Sequence, residues 1–288
     1  MNYNITGRTR LTGLLGSPVS HSISPLMHNE AFRLLKLDYA YLCFDTKTAG
    51  LSEVVKGLQA LDARGWNCTM PDKQAMCELA DVLSPAAQMI GAVNTVVNEN
   101  GLLLGHNTDG IGYMQAVKHA GYDLCNKSMT LLGAGGAATA IAVQAALDGV
   151  AAIHLFTRRG RSFAHAENLA EQINANTSCR ISLFDIDDKI SLARCLEQDA
   201  LLTNATSVGM APNVNDSIIS EAAMLPPTLI VSDIIYHPRE TKLMSLAKAA
   251  GCPTFNGLYM LLYQGAEAFR LWTGEAMPVD AVKELIYS

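Results

Sequence analysis

Residues 128–147 read Ser-Met-Thr-Leu-Leu-Gly-Ala-Gly-Gly-Ala-Ala-Thr-Ala-Ile-Ala-Val-Gln-Ala-Ala-Leu, and the fold turns on them. Met129 to Leu132 is an apolar run of the kind that forms a strand buried on both faces, and Ala137 to Leu147 is an alanine-rich helix that can lie close against a sheet. Between them Gly133-Ala134-Gly135-Gly136-Ala137-Ala138 fits G-x-G-x-x-G/A directly after a strand and at the opening of a helix. In that setting Gly133 permits a tight turn, Gly135 lets a pyrophosphate approach the backbone, and Ala138 keeps helix and sheet close. The N–H groups and positive dipole end of the helix then favour phosphate. A close-packing turn without ligand is the alternative reading.

Downstream, Ile153 to Phe156, Ile181 to Phe184, Leu201 to Asn204 and Leu229 to Ser232 are further short strands, alternating with helices at His165 to Asn174 and Thr241 to Ala250. The alternation predicts a Rossmann-like unit with a parallel sheet. The second strand ends in Thr157-Arg158-Arg159-Gly160-Arg161, where NAD-binding units usually carry a carboxylate for the ribose 2′-OH. Guanidinium groups suit a 2′-phosphate instead, so NADP(H) is expected to be preferred, with NAD(H) left open and a solvated basic loop as the alternative. On this reading an aspartate at position 160 shifts preference toward NAD.

Upstream, Leu11 to Leu15 is closed by Gly16, Ser17 and Pro18, and a helix follows through about Leu37, with Ser24 where an N-cap belongs and Pro25 at its first position. Tyr39 to Phe44 reads as a strand, and Leu51, Val54, Val55, Leu58 and Leu61 line one face of a helix. Trp66 to Met70 is a strand stopped by Pro71, which opens a helix from Asp72 to about Leu83. Ala92 to Asn98 and Leu102 to His106 flank Glu99-Asn100-Gly101, a strong hairpin signal. These elements predict an α/β unit with a mixed sheet.

The whole chain is 288 residues, enough for about two domains, with 49% apolar and 17% charged residues. No run reaches the ~18 apolar residues of a membrane span. The charge balance of 21 basic against 27 acidic residues gives −6, and the basic residues are scattered except at Arg158, Arg159 and Arg161, which argues against nucleic-acid and membrane partners. Seven cysteines without a Cys-x-x-Cys, and no secretory leader in Met1 to Arg10, lead to the expectation of reduced thiols and a cytoplasmic protein. The seven histidines show no ligand spacing, so no metal is expected.

Taken in order, several motifs resemble those of the shikimate dehydrogenase family, closest to its quinate/shikimate dehydrogenase branch. They are Ser20-His21-Ser22-Ile23-Ser24-Pro25, Thr69-Met70-Pro71-Asp72-Lys73-Gln74, Gly91-Ala92-Val93-Asn94-Thr95 and Gly105-His106-Asn107-Thr108-Asp109-Gly110. The Gly133 turn, Asn204 to Met210, Asp233 to Pro238, Gln264-Gly265-Ala266 and Trp272-Thr273-Gly274 continue the series. Asp72 stands where the main shikimate enzymes usually have histidine, and Gly160 where the branch often has a carboxylate.

The resemblance implies an NADP(H)-dependent oxidoreductase that interconverts 3-dehydroshikimate and shikimate, with quinate as a further substrate. The alternatives are a quinate-preferring enzyme using NAD and a non-catalytic dinucleotide-sensing regulator. A substrate domain of residues 1–108, completed by helices within 258–288, joins a dinucleotide domain of 109–257, in a monomer or homodimer. Ser22 and Ser24 are implied to hold the substrate carboxylate, although Ser24 alone reads as an N-cap and Ser22 as a loop hydroxyl. Lys73, expected in the first turn of its helix where the dipole loosens its proton, is the implied proton donor, paired with Asp109. Asp109 reads otherwise as the cap of a helix from Gly110 to His119. Asn94 and Asn107 lie on or beside the hairpin strands, where an amide can hydrogen-bond the ring hydroxyls of a polyol. The resemblance gives Asn94, Thr69, Tyr236 and Gln264 to the substrate, with a partly buried core residue as the plain alternative for Tyr236 and a polar interruption in an apolar helix for Gln264. Gly133, Ala134, Gly135, Gly136, Ala137, Thr157, Arg158, Arg159, Thr206, Met210 and Gly257 are the implied cofactor contacts.

Overall fold

The structure, a computed structural model, describes residues 5–47 and 50–287; Met1 to Asn4, part of the stretch on which the leader expectation rests, lie outside the described residues. The chain forms two compact units, Met1–Thr108 with Leu262–Ser288, and Asp109–Leu261. The return to the first unit falls at Leu262, inside a helix, where the sequence suggests 258.

The first unit runs β1 (Arg10–Gly16), α1 (Ser24–Leu34), β2 (Tyr39–Asp45), α2 (Leu51–Ala60), β3 (Gly65–Cys68), α3 (Ala75–Leu79), β4 (Val82–Leu83), α4 (Pro85–Ile90), β5 (Thr95–Glu99) and β6 (Leu102–His106). Its described strands form a sheet in the order β2-β1-β3-β5-β6-β4. β1 is parallel to β2 and β3, while β5 runs antiparallel to β3 and β6. The β5–β6 hairpin turns through Asn100 (φ 55°) and Gly101 (φ 94°), the left-handed pair that matches strand twist. The carboxyl ends of β1, β2, β3 and β6 and the amino end of β5 therefore share one edge. Leu15, Trp66, Met76, Val93, Val96 and Leu103 fill the core behind it.

The helix expected over Asp72 to Leu83 is a correction: residues 70–74 form turns, α3 has only five residues, and Val82–Leu83 pairs with β6. Long-range bonds hold this turn open. Thr46 Oγ1 donates to Asp72 Oδ2 at 2.6 Å, and Val93 N donates to the Lys73 carbonyl at 2.8 Å. Ser84, followed by Pro85, caps α4 by accepting the Ala87 N–H, a start that the sequence reading passed over.

The second unit runs α5 (Asp109–His119), β7 (Ser128–Leu132), α6 (Gly136–Leu147), β8 (Ala152–Thr157), α7 (Arg161–Asn176), β9 (Arg180–Asp185), α8 (Lys189–Gln198), β10 (Leu201–Asn204), β11 (Ile230–Asp233), α9 (Lys242–Ala249) and β12 (Thr254–Asn256). Helix α10 (Leu258–Thr273) crosses into the first unit, which ends with α11 (Val279–Tyr287). The described strands are all parallel in the order β12-β11-β10-β7-β8-β9, so the direction of winding reverses between β7 and β10. Helix α6 is buried nearly all round and packs tightly on α5: a Cβ at Gly110 would lie 2.3 Å from the Ala140 carbonyl oxygen. The sequence reading passed over α8 and β12.

In the first unit the C-terminal segment is tied back by Trp272, whose Nε1 donates to the Val96 carbonyl at 2.9 Å, and by Arg64 Nε donating to the Trp272 carbonyl at 2.8 Å. Beside Trp272 lies His28 of α1, wholly buried, with ring centroids 4.4 Å from Tyr41 and 5.2 Å from Trp272. Neither ring nitrogen has a hydrogen-bond partner among the described residues, and burial holds its pKa down to about 3. The unfolded chain, with a histidine near 6.5, takes up the proton first as pH falls. Stability from this group is complete above that value and is lost at about 1.4 kcal/mol per pH unit below it. We therefore expect His28→Phe to flatten the loss of stability between about pH 6.5 and about pH 5. Urea midpoints across that range would expose the opposite result, two parallel curves.

Candidate functional site

In the first unit, the edge where β1, β3 and β6 end and β5 begins carries Ser22, Ser24, Thr69, Lys73, Asn94 and Asn107 on the segments that leave or enter those strands. Ser24 is not the cap of α1. Ile23 occupies that position, and the Ser22 hydroxyl accepts the Ser24 N–H at 3.2 Å, a local turn at the start of the helix. Lys73 lies in the turn ahead of α3, not in a helical first turn, so the dipole argument is left with only the five-residue helix that begins two residues later. Gln264 lies on α10, half-buried.

Behind these residues runs a buried chain of hydrogen bonds that the sequence reading missed. The Tyr41 hydroxyl donates to Asn67 Oδ1 at 2.8 Å, and Asn67 Nδ2 donates to the Asn94 carbonyl at 3.1 Å and to Thr95 Oγ1 at 3.0 Å. Asn94 Oδ1 accepts the Thr108 N–H at 2.8 Å and the Thr95 hydroxyl at 3.0 Å. Burial, and after it the Cys43 thiol, push the Tyr41 hydroxyl well above its ordinary range, while a hydrogen bond with Ser24 opposes them. Tyr41 and Asn94 are thus joined through Asn67. The available signal was Asn67 itself, a polar residue inside the buried strand Gly65–Cys68.

In the second unit the expected residues stand at the carboxyl edge of the parallel sheet. Gly133 has φ +108°, and a Cβ there would lie 2.9 Å from the Ala205 carbonyl oxygen, so the turn after β7 requires glycine. Gly135 caps α6 without a side-chain bond, and added Cβ atoms at Gly135 and Gly136 would meet no protein atom within 4 Å. An open cradle above a twelve-residue helix start fits a pyrophosphate. Thr157 is buried at the end of β8, whereas Arg158 and Arg159 are exposed. Thr206 is held by Asn204, whose Oδ1 accepts the Thr206 hydroxyl at 2.7 Å, and Met210 is exposed. Gly257 is fixed by packing, since a Cβ would lie 1.8 Å from the Ile234 carbonyl oxygen.

Tyr236 is 45% exposed, which sets aside the core reading of that residue. Asp109 is the first residue of α5 itself, one place inside the position of a cap.

Two features correct the sequence reading of the arginines. Gly160 has φ +101° and ψ −144°, a region essentially reserved for glycine, so an aspartate at 160 is strained and is not a clean exchange of charge. A carboxylate is also present after all, supplied by the neighbouring strand: Arg159 Nε donates to Asp185 Oδ2 at 2.7 Å. Deeper in the sheet, Asp233 is fully buried and accepts from Asn204, Thr241 and the Ile235 N–H; burial raises its pKa, and those donors oppose the rise.

The family profile "Shikimate dehydrogenase substrate binding domain" matches residues 14–96, and "Shikimate 5'-dehydrogenase C-terminal domain" matches residues 257–287. The chain is 51% identical over 283 residues to the shikimate dehydrogenase (NADP(+)) of Listeria monocytogenes, covering 98% of this chain and 97% of that protein. It superposes with a TM-score of 0.97 and 50% identity on a crystal structure of shikimate 5-dehydrogenase from Listeria monocytogenes in complex with shikimate and NAD, covering 100% and 99% of the two chains. A shikimate dehydrogenase in complex with NADP+ aligns at 38% identity and a TM-score of 0.85, covering 98% and 96%.

Removing the Tyr41 hydroxyl strands the Asn67 carbonyl oxygen in a buried setting, so Tyr41→Phe is expected to cost about 1–3 kcal/mol. Chemical denaturation measures it, and an unchanged midpoint would contradict the buried chain of bonds.

Proposed function

The chain belongs to the shikimate dehydrogenase family, and we propose that it catalyses the reversible reduction of 3-dehydroshikimate to shikimate with NADP(H) as preferred cofactor. The observation that carries the reading is the shared edge of the first unit: Ser22, Ser24, Thr69, Lys73 and Asn94 leave or enter strands that end together. Such an edge offers hydroxyl, amide and ammonium groups to a small carboxylated polyol.

In this reading Ser22 and Ser24 bind the carboxylate, and Thr69, Asn94, Tyr236 and Gln264 bind or orient the ring. Lys73 gives a proton to the carbonyl oxygen in the reducing direction and takes it back in oxidation, with Asp109 positioning and polarising the lysine. The residues that would hold the cofactor are Gly133 to Ala137, Thr157, Arg158, Arg159, Thr206, Met210 and Gly257. When bound, the nicotinamide supplies the hydride. Gly133 to Ala137 fit the pyrophosphate through backbone N–H groups, and Arg158 and Arg159 offer cations to a 2′-phosphate. The same reading makes the protein a cytoplasmic enzyme, monomer or homodimer, whose partners are small molecules. Among the described residues no helix is long and apolar enough to cross a membrane.

Reduced-cofactor absorbance, followed with shikimate and quinate against NADP and NAD, tests the assignment directly, and shikimate with NADP is expected to give the highest kcat/KM. Arg158→Ala is expected to damage NADP use more than NAD use, because it removes a partner that only the 2′-phosphate needs; equal losses would return that arginine to solvent. Lys73→Arg is expected to lower kcat by about 10²- to 10⁴-fold with a modest change in KM, since arginine keeps the charge and does not release its proton. Retention of most of the turnover would make Lys73 a binding group instead.

A further inference from the structure

We propose that Asp185 is a specificity-determining residue for the cofactor, weakening the preference for a 2′-phosphorylated dinucleotide by competing for Arg159. The inference rests on the cofactor reading above. Strands β8 and β9 run side by side with Thr157 opposite Asp185, so the last residue of β9 arrives next to the arginines that follow β8. Arg159 donates from Nε to Asp185 Oδ2 at 2.7 Å, and its guanidinium carbon sits 4.2 Å from the centre of the Phe163 ring. One edge and one face of the guanidinium are thereby engaged, yet 69% of the side chain remains exposed. Its terminal N–H donors have no protein partner among the described residues and are available to an anion.

Asp185 is in turn fixed. Its Oδ1 accepts the Asp187 N–H at 3.1 Å while Oδ2 accepts Arg159, and its side chain is only 23% exposed. The Asp187 N–H first, and Arg159 after it, hold the carboxyl below its ordinary range, so it is charged at neutral pH. A 2′-phosphate that binds Arg159 therefore meets a guanidinium already neutralised on one edge and a nearby like charge. A neutral 2′-OH meets no such repulsion. In nucleotide-binding folds of this type a carboxylate selecting for the 2′-OH usually stands at the end of the second strand. Here Gly160, with φ +101°, cannot host it without strain, and the third strand brings one instead.

The experiment compares wild type, Asp185→Asn, Asp185→Glu, Arg159→Ala and the Asp185→Asn/Arg159→Ala double variant of the full chain. Calorimetry gives Kd for 2′,5′-ADP and 5′-AMP, and steady-state kinetics with shikimate give kcat/KM for NADP and NAD. Asp185→Asn is expected to raise the preference for the 2′-phosphorylated ligand about two- to fivefold, the size of an exposed charge effect, and to raise it less as salt is added. Asp185→Glu keeps the charge and the wild-type ratio, and the gain is lost when Arg159 is already alanine. Should Asp185→Asn not fold, Asp185→Ser removes the same charge and carries the same expectation. An unchanged or lowered ratio in a wild-type background that does discriminate overturns the role of Asp185. A wild type that binds 2′,5′-ADP no more tightly than 5′-AMP overturns the cofactor reading itself, and this inference with it.

Discussion

A polar group taken out of water is costly unless it finds a partner, and, His28 apart, both units meet that demand at the ends of strands with sets of side chains that bond one another. In the first, Tyr41, Asn67, Asn94, Thr95 and Thr108 satisfy one another, with Thr46 and Asp72 alongside. In the second, Asn204, Asp233 and Thr241 do the same beneath the segments that follow β10 and β11. Because each member of such a network leaves a neighbour unsatisfied when it is lost, the loops built on it have one favourable arrangement. The positions of Lys73, Asn94 and Thr206 follow from these bonds, since the regular elements end before those residues or begin after them.

The carboxyl edge of the parallel sheet presents two physically different kinds of donor. At α6 the donors are backbone N–H groups in a turn that Gly133 makes possible, neutral and fixed by the fold. After β8 the donors are exposed guanidinium groups, one of them shared with Asp185. Backbone recognition is insensitive to surface charge and suits a feature common to all dinucleotides. Side-chain recognition is screened, adjustable and suited to telling one ribose from another. A single strand edge can therefore keep its affinity while its selectivity drifts with substitutions in β8, β9 and the turns after them.

Much of this architecture was legible residue by residue. Strand β10 occupies Leu201–Asn204 as its apolar run indicated, and the Asn100-Gly101 pair turns the hairpin in the left-handed conformation its composition requires. Helix α8 was not legible, because only Leu192, Cys195 and Leu196 of its ten residues are buried and its apolar stripe is short. Pro71 suggested a long helix where the chain makes a turn, since Thr46 after β2 and Val93 before β5 capture Asp72 and Lys73. Ser24 looked like a cap, but Ile23 holds that position with no side-chain cap bond, and the Ser24 N–H donates to the Ser22 hydroxyl.

By itself the sequence determined the two α/β units, the parallel character of the second sheet, the glycine turn between β7 and α6 and the family, because the motifs and elements that carry them are short local stretches whose apolar spacing or backbone freedom admits one local structure. The tertiary structure alone decided that Tyr41 is joined to Asn94 through Asn67, that Arg159 faces a carboxylate from β9, and that Lys73 lies outside any helix. Those outcomes depend on hydrogen bonds between residues far apart in the chain, which are set by strand register and leave no periodic trace in the sequence.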